Sequence, residues 1–255
     1  MSSIQTGADA LDVLNQSDDG GGNDQEFAKF SSGTSYTVKV LGTADLISFF
    51  SYGIYRQVNS FVAEKPSKKS RRGFPIENLT PWDKAWKYHA DKSKEFGDKH
   101  SQEAYKYRAR QRFAMGFFDL DSGEPIIIDL SKNQAQAIHG VIKRSEKRLD
   151  RMAFELRKDG QGTSTTVSLT PLFVEDLDEK QAKNFENAPD KFDMDLFDGI
   201  LYEMDEEEQI EKLIEAGFDV SLIGLDAPEK NEEGDQRQGP GSGPDGDILD
   251  EDLPF

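Results

Sequence analysis

Between residues 35 and 40 the chain alternates, Tyr36, Val38 and Val40 apolar against Thr37 and Lys39 polar, which is the period-two signature of a half-buried strand. The next apolar run, "LISFFSYGIYRQVNSFVAE", is aromatic and β-branched and reads as one long or broken strand. After a loop punctuated by Pro and Gly, "TPWDKAWKYHADKSKEFGDKHSQEAYKY" switches to helical spacing. Thr80 stands as N-cap, Pro81 at the first helical position, and Trp82, Trp86 and His89 on one face, with Gly97 breaking the stretch into two helices. "YRARQRFAMGFFDLDSGEPIIIDL" reads as two strands around an Asp-Ser-Gly hairpin turn. Ser131 then caps "SKNQAQAIHGVIKRSEKR", where Ala135, Ile138 and Ile142 recur at helix spacing, and "MAFELRK" and "STTVSLTPLF" are two further strands joined by the Gly-bearing "DGQGT".

Strands, then a helix, then two closing strands predict a mainly β, α+β protein built on an OB-fold-like five-stranded Greek-key barrel, with a helical insertion at about 80–107 before its third strand. That domain is expected to span 27–175. Residues 1–26, ending in "SDDGGGND", have nothing to bury and read as a flexible segment. Residues 176–225 read as acidic helices, among them "DEEEQIEKLIEAG", where Ile210, Leu213 and Ile214 form a narrow apolar edge and Gly217 a C-cap. Residues 226–255 have linker composition and read as a disordered acidic tail.

Only 35% of the residues are hydrophobic and 31% are charged, which favours one folded unit with tails over a chain packed end to end. The chain has no cysteine, excluding disulfides, thiolate catalysis and Cys-based zinc sites. No run of about 18 apolar residues is present and the N-terminus lacks a signal-like start, so a cytosolic protein with no membrane partner is expected. The net charge is −18, yet it is divided unevenly. Residues 1–55 carry 2 basic and 7 acidic side chains, residues 56–159 carry 23 and 15, and residues 160–255 carry 6 and 27. A basic middle and an acidic last third point to a polyanion partner and an acidic tail.

In that basic middle, cations and aromatics interleave. "YKYRARQRF" puts Arg108, Arg110 and Arg112 on one strand face if the alternation holds, beside Tyr105, Tyr107 and Phe113; upstream stand Tyr52, Tyr55 and Arg56, and the loop "KKSRR" supplies Lys68, Lys69, Arg71 and Arg72. Single-stranded nucleic acid needs this combination, because Lys and Arg neutralise phosphates while unpaired bases stack on rings. The plainer alternatives are that the aromatics, Trp82 and Trp86 included, are core, and that the arginines form a solvated face that guards a sheet edge. His89 and His100, with Asp91, Glu95 and Asp98 between them, match no metal-ligand spacing. Glu124, Asp129 and Lys132 resemble an acid, acid, lysine nuclease set, but Asp129 and Lys132 are spaced one residue too far to share a strand face. With no phosphate loop and no nucleophile arrangement either, neither enzyme activity nor a cofactor or metal is expected.

The end "DEDLPF", an acidic run closed by a hydrophobic residue, Pro and Phe, resembles the C-terminal tip of bacterial and phage single-stranded DNA-binding proteins. The element order across 27–175, with a hydrophobic strand entering a Ser-Lys-x-Gln helix at residue 131 and a G-x-G-T turn at residue 160, is similar to the OB domain of such proteins from tailed bacteriophages. Some of those carry a zinc module, which the missing cysteines remove here; the insertion around Trp82 is expected to stand in its place. The resemblance implies a protein that coats single-stranded DNA without sequence preference during phage replication, recombination and repair, in the cytoplasm of the bacterial host cell. It also implies recruitment of replication or recombination proteins by the tip, through Asp250, Glu251, Asp252, Leu253, Pro254 and Phe255. RNA as the ligand stays open, since stacking and phosphate contacts alone do not read the 2′-hydroxyl that distinguishes it from DNA. The contrasting reading is an acidic DNA mimic that occupies the basic site of a host nucleic-acid-binding protein.

Overall fold

The computed structural model describes residues 26–228. The alternating segment forms β1 (Ser35–Lys39). The aromatic run is a hairpin, β2 (Leu46–Ile54) and β3 (Val58–Ala63), reversed at Arg56, which takes φ 58°, and bulged beside Gly53 where the Tyr52–Ile54 register shifts. The basic loop folds into a small separate hairpin, β4 (Lys68–Lys69) with β5 (Pro75–Glu77). Next come α1 (Pro81–Lys92), N-capped by Thr80, and α2 (Lys99–Tyr107), N-capped by Asp98 one residue after Gly97 at φ 84°.

The long strand β6 (Arg110–Asp119) turns back into β7 (Glu124–Ser131) over a loop in which the Asp119 carboxylate accepts from the backbone N–H groups of Asp121 and Ser122. A capping box of Ser131 and Gln134 starts α3 (Lys132–Ser145), which leads to β8 (Met152–Asp159) and β9 (Thr166–Phe173). The acidic segment supplies α4 (Glu179–Asn187), β10 (Glu203–Met204) and α5 (Glu206–Glu215).

Strand β6 organises the sheet. Residues 110–115 pair with β2 on one side, residues 118–119 pair with β1 on that same side, and β7 runs along the other. The main path is β10-β3-β2-β6-β1-β8-β9, antiparallel throughout except for the β10–β3 pair. It does not close: β7 and β9 do not pair, and α3 packs against β6, β7 and β9 instead. The five-stranded Greek-key barrel expected from the sequence is therefore corrected to a large, mostly antiparallel sheet that does not close, in a mixed α/β architecture with five α-helices among the described residues. The physical reason lies in α3, whose Ala135, Ile138 and Ile142 join Val38, Met115, Phe117, Leu130 and Phe154 in one core.

A second core joins the insertion to the acidic segment: Phe61, Trp82 and Tyr107 pack with Leu213, Phe218 and Val220. A third sets Phe192, Phe197 and Ile200 on Ala114 and Ile127. Residues 176–225, expected as a separate acidic helical region, thus form a strap packed on the sheet and the insertion. Gly116 makes this possible, since a Cβ there would stand 2.4 Å from the Phe192 ring. The strap carries sixteen carboxylates against four lysines. Burying each large apolar side chain contributes about 1.5–3 kcal/mol, which outweighs the ~0.2–0.5 kcal/mol lost per like-charged helical pair. Among the described residues no helix is long and apolar enough to cross a membrane. The expectations for the first 25 residues, and for the tail and tip beyond residue 228, lie outside the described residues.

Candidate nucleic-acid interface

A groove of about 750 Å³ opens between the β2–β3 turn and the turn linking β8 to β9, bordered by α2 and the first residue of β6. Its charged lining is Arg56, Lys106 and Arg110, with no carboxylate among the lining residues. The Arg110 guanidinium stands 4.9 Å over the Tyr105 ring, and that of Arg56 4.9 Å over the Tyr55 ring. Tyr55 is 45% exposed, so its ring stays open to a second stacking partner. Lys106 bonds Glu103 at 2.8 Å, an exposed pair of the kind worth about 0–1 kcal/mol and easily traded for a phosphate. The Tyr105 hydroxyl is buried and has no hydrogen-bond partner.

The β4–β5 hairpin carries a second basic group. Arg71 and Arg72 are exposed at its tip and form no ion pair among the described residues, whereas Lys68 bonds Glu77 at 3.1 Å. Arg108 follows α2 as its C-cap and holds its guanidinium 5.2 Å over the ring of Phe74, which stacks on Trp86 at 5.8 Å.

Five of the residues expected to meet nucleic acid are engaged elsewhere. Lys69 is 7% exposed and bonds Asp83, itself 1% exposed, at 2.5 Å. Tyr52 donates its hydroxyl to the same carboxylate at 2.9 Å and accepts from Thr80 at 3.1 Å; Ser67 also donates to Asp83. Burial, then the Asp83 charge, raises the Tyr52 hydroxyl above its usual pKa, and burial lowers that of the Lys69 ammonium against the pull of Asp83. Tyr107 is a core ring, edge-on to Trp82 and Phe218. Arg112 forks onto Asp129 with bonds of 3.0 and 2.8 Å, and Phe113 is half-buried against the main core. The same fork gives Asp129 a structural partner. The three arginines do not form one strand face, because Arg108 precedes the strand; Arg110 and Arg112 do share a face of β6, but Arg112 is paired with Asp129.

Two groups escaped the sequence reading. Lys106 was hidden in a helical run, although its place between Tyr105 and Tyr107 is the same basic-aromatic signal. Phe74 directly follows "SRRG", a ring beside two arginines in a turn. Trp82 is wholly buried, which leaves Trp86 as the tryptophan near this surface. His89 and His100 face each other with Nδ1 atoms 3.0 Å apart, and the described residues contain no cluster of three or more His, Cys, Asp or Glu able to hold a metal.

No protein-family model matches the chain, and no curated protein matches it.

Proposed function

We propose that the chain binds single-stranded DNA without sequence preference, coating it in phage replication, recombination and repair and recruiting partner proteins through its acidic C-terminal tip. The observation that carries this reading is the groove lined by Arg56, Lys106 and Arg110 with no carboxylate, in a chain whose net charge is −18. Keeping acids out of one groove in so acidic a molecule fits a polyanion ligand, and the rings of Tyr55 and Tyr105 suit unpaired bases. The pairing order β7-β6-β1-β8-β9, with α3 between β7 and β8, supports the OB reading, as an OB barrel that lacks its closing pair. The two turns flanking the groove are then those that clasp oligonucleotides in OB folds.

Titration of a labelled oligothymidylate, read by fluorescence anisotropy, tests this against a duplex and an oligouridylate of equal length. Tight binding at low salt that weakens linearly in log salt is expected, with Arg110→Ala reducing the slope by about 0.7, the value of one phosphate contact on a single strand. Binding with no salt dependence sinks the reading. Equal affinity for the oligouridylate widens the ligand to RNA. The strap, with sixteen carboxylates against four lysines, favours the contrasting DNA-mimic reading. That reading is selected if no oligonucleotide binds at low salt while a basic nucleic-acid-binding protein of the host is captured.

A further inference from the structure

The β4–β5 hairpin is costly to hold where it is. It pairs only with itself, and a two-stranded hairpin is at best marginally stable in water. Its anchor is the Lys69–Asp83 ion pair, withdrawn from solvent together with the hydroxyls of Tyr52 and Ser67. What this anchor holds out to solvent is unusual: Phe74 is 39% and Ile76 51% exposed, next to the cations Arg71 and Arg72. Gly73, at φ 80°, lets the turn close down on Phe50, and the Ser70 hydroxyl accepts from the Phe74 backbone N–H at 3.1 Å. The Phe74 ring is oriented from outside the hairpin, by Trp86 stacked at 28° between planes and by the Arg108 guanidinium.

From this geometry we infer that Phe74, backed by Trp86 and flanked by Arg71, Arg72 and Arg108, is a base-stacking platform of its own, so that a bound single strand leaves the groove and continues over the hairpin. The inference rests on the nucleic-acid reading of the groove and adds a second subsite to it. A ring fixed by stacking has little freedom to lose on binding, and the Arg108 guanidinium at the ring with the exposed Arg71 and Arg72 of the same turn supplies the phosphate contacts that a stacked nucleotide needs. The platform takes an unpaired base, because a duplex offers no free ring face. Lys69 does not touch the strand; it is a positioning residue that keeps the hairpin in place.

Two readouts test this with the labelled oligothymidylate and the full chain. Because Trp82 is wholly buried, a change in tryptophan emission on binding reports Trp86. The wild-type chain is expected to show that change, and Phe74→Leu to lose it while binding about tenfold more weakly, the effect of about 1.4 kcal/mol from one lost stacking contact. Phe74→Tyr keeps the platform and retains wild-type affinity. Arg71→Ala with Arg72→Ala lowers the salt slope by about 1.4, whereas Phe74→Leu leaves the slope unchanged. The inference is overturned if the Leu variant binds like the wild type, if Leu and Tyr weaken binding equally, or if saturating oligonucleotide leaves the emission unchanged. Those outcomes all presuppose a change in anisotropy. If anisotropy does not change for the wild-type chain, the nucleic-acid reading of the groove fails first.

Discussion

Lys69 and Arg71 stand two places apart in one basic run and have opposite fates, because a partner 14 residues downstream, Asp83, claims the lysine. Truncating either member of such a buried pair leaves an uncompensated charge, which costs about 3–5 kcal/mol. Asp45 is the reverse case, a carboxylate whose Oδ2 is buried with no hydrogen-bond partner. Burial raises its pKa, and the backbone N–H of Gly42 only partly opposes this. With the folded value above the unfolded one, the contribution of the protonated carboxyl is full below the ordinary carboxylate range and is lost as pH rises through the folded value. Asn mimics the protonated form, so Asp45→Asn is expected to raise Tm at pH 7, with a gain that shrinks as the buffer is taken towards pH 4. A gain independent of pH contradicts this account of the site.

Among the elements, Gly116 on β6 has a demand that no local pattern reveals, since Phe192 of the strap lies 2.4 Å from where its Cβ would be. Gly116→Ala is expected to cost about 1–3 kcal/mol by overpacking and to lower Tm by several degrees. An unchanged Tm means that the strap yields without loss. The period-two strands, the Thr80 and Ser131 caps and the Gly97 break were legible in the sequence because each is decided by neighbouring residues. The place of the break between β2 and β3 was not, because the left-handed residue of that turn is Arg56 and not Gly or Asn. In the site, Tyr55, Arg56, Tyr105 and Arg110 were legible from composition and do line the groove. Tyr52, Tyr107 and Arg112 misled because their partners Asp83, Phe218 and Asp129 are distant in sequence, and pairing over such separations leaves no periodic trace.

For the whole molecule, the separation of charge sets how it meets other molecules. The basic groove lies in a chain whose strap and tail are acidic, and on the proposed reading the protein's own carboxylates compete with phosphate for the same cations. Removing residues 245–255, which hold five carboxylates and the Leu-Pro-Phe end, is expected to raise single-strand affinity about fivefold at low salt, the lower end of ordinary coupling between sites, and to abolish capture of replication proteins. A binding curve and a pull-down that both match the full chain reject the proposed role of the tip.

The parallel pairing of β10 with β3 joins residues 203–204 to residues 62–63, across about 140 residues of chain. During synthesis at about 5–20 residues per second, β3 waits on the order of ten seconds for its last neighbour. For that interval Phe61 and Trp82 lack the cover of Leu213 and Phe218. The newly made chain is therefore most exposed to aggregation and to chaperone capture in the seconds before its acidic strap emerges.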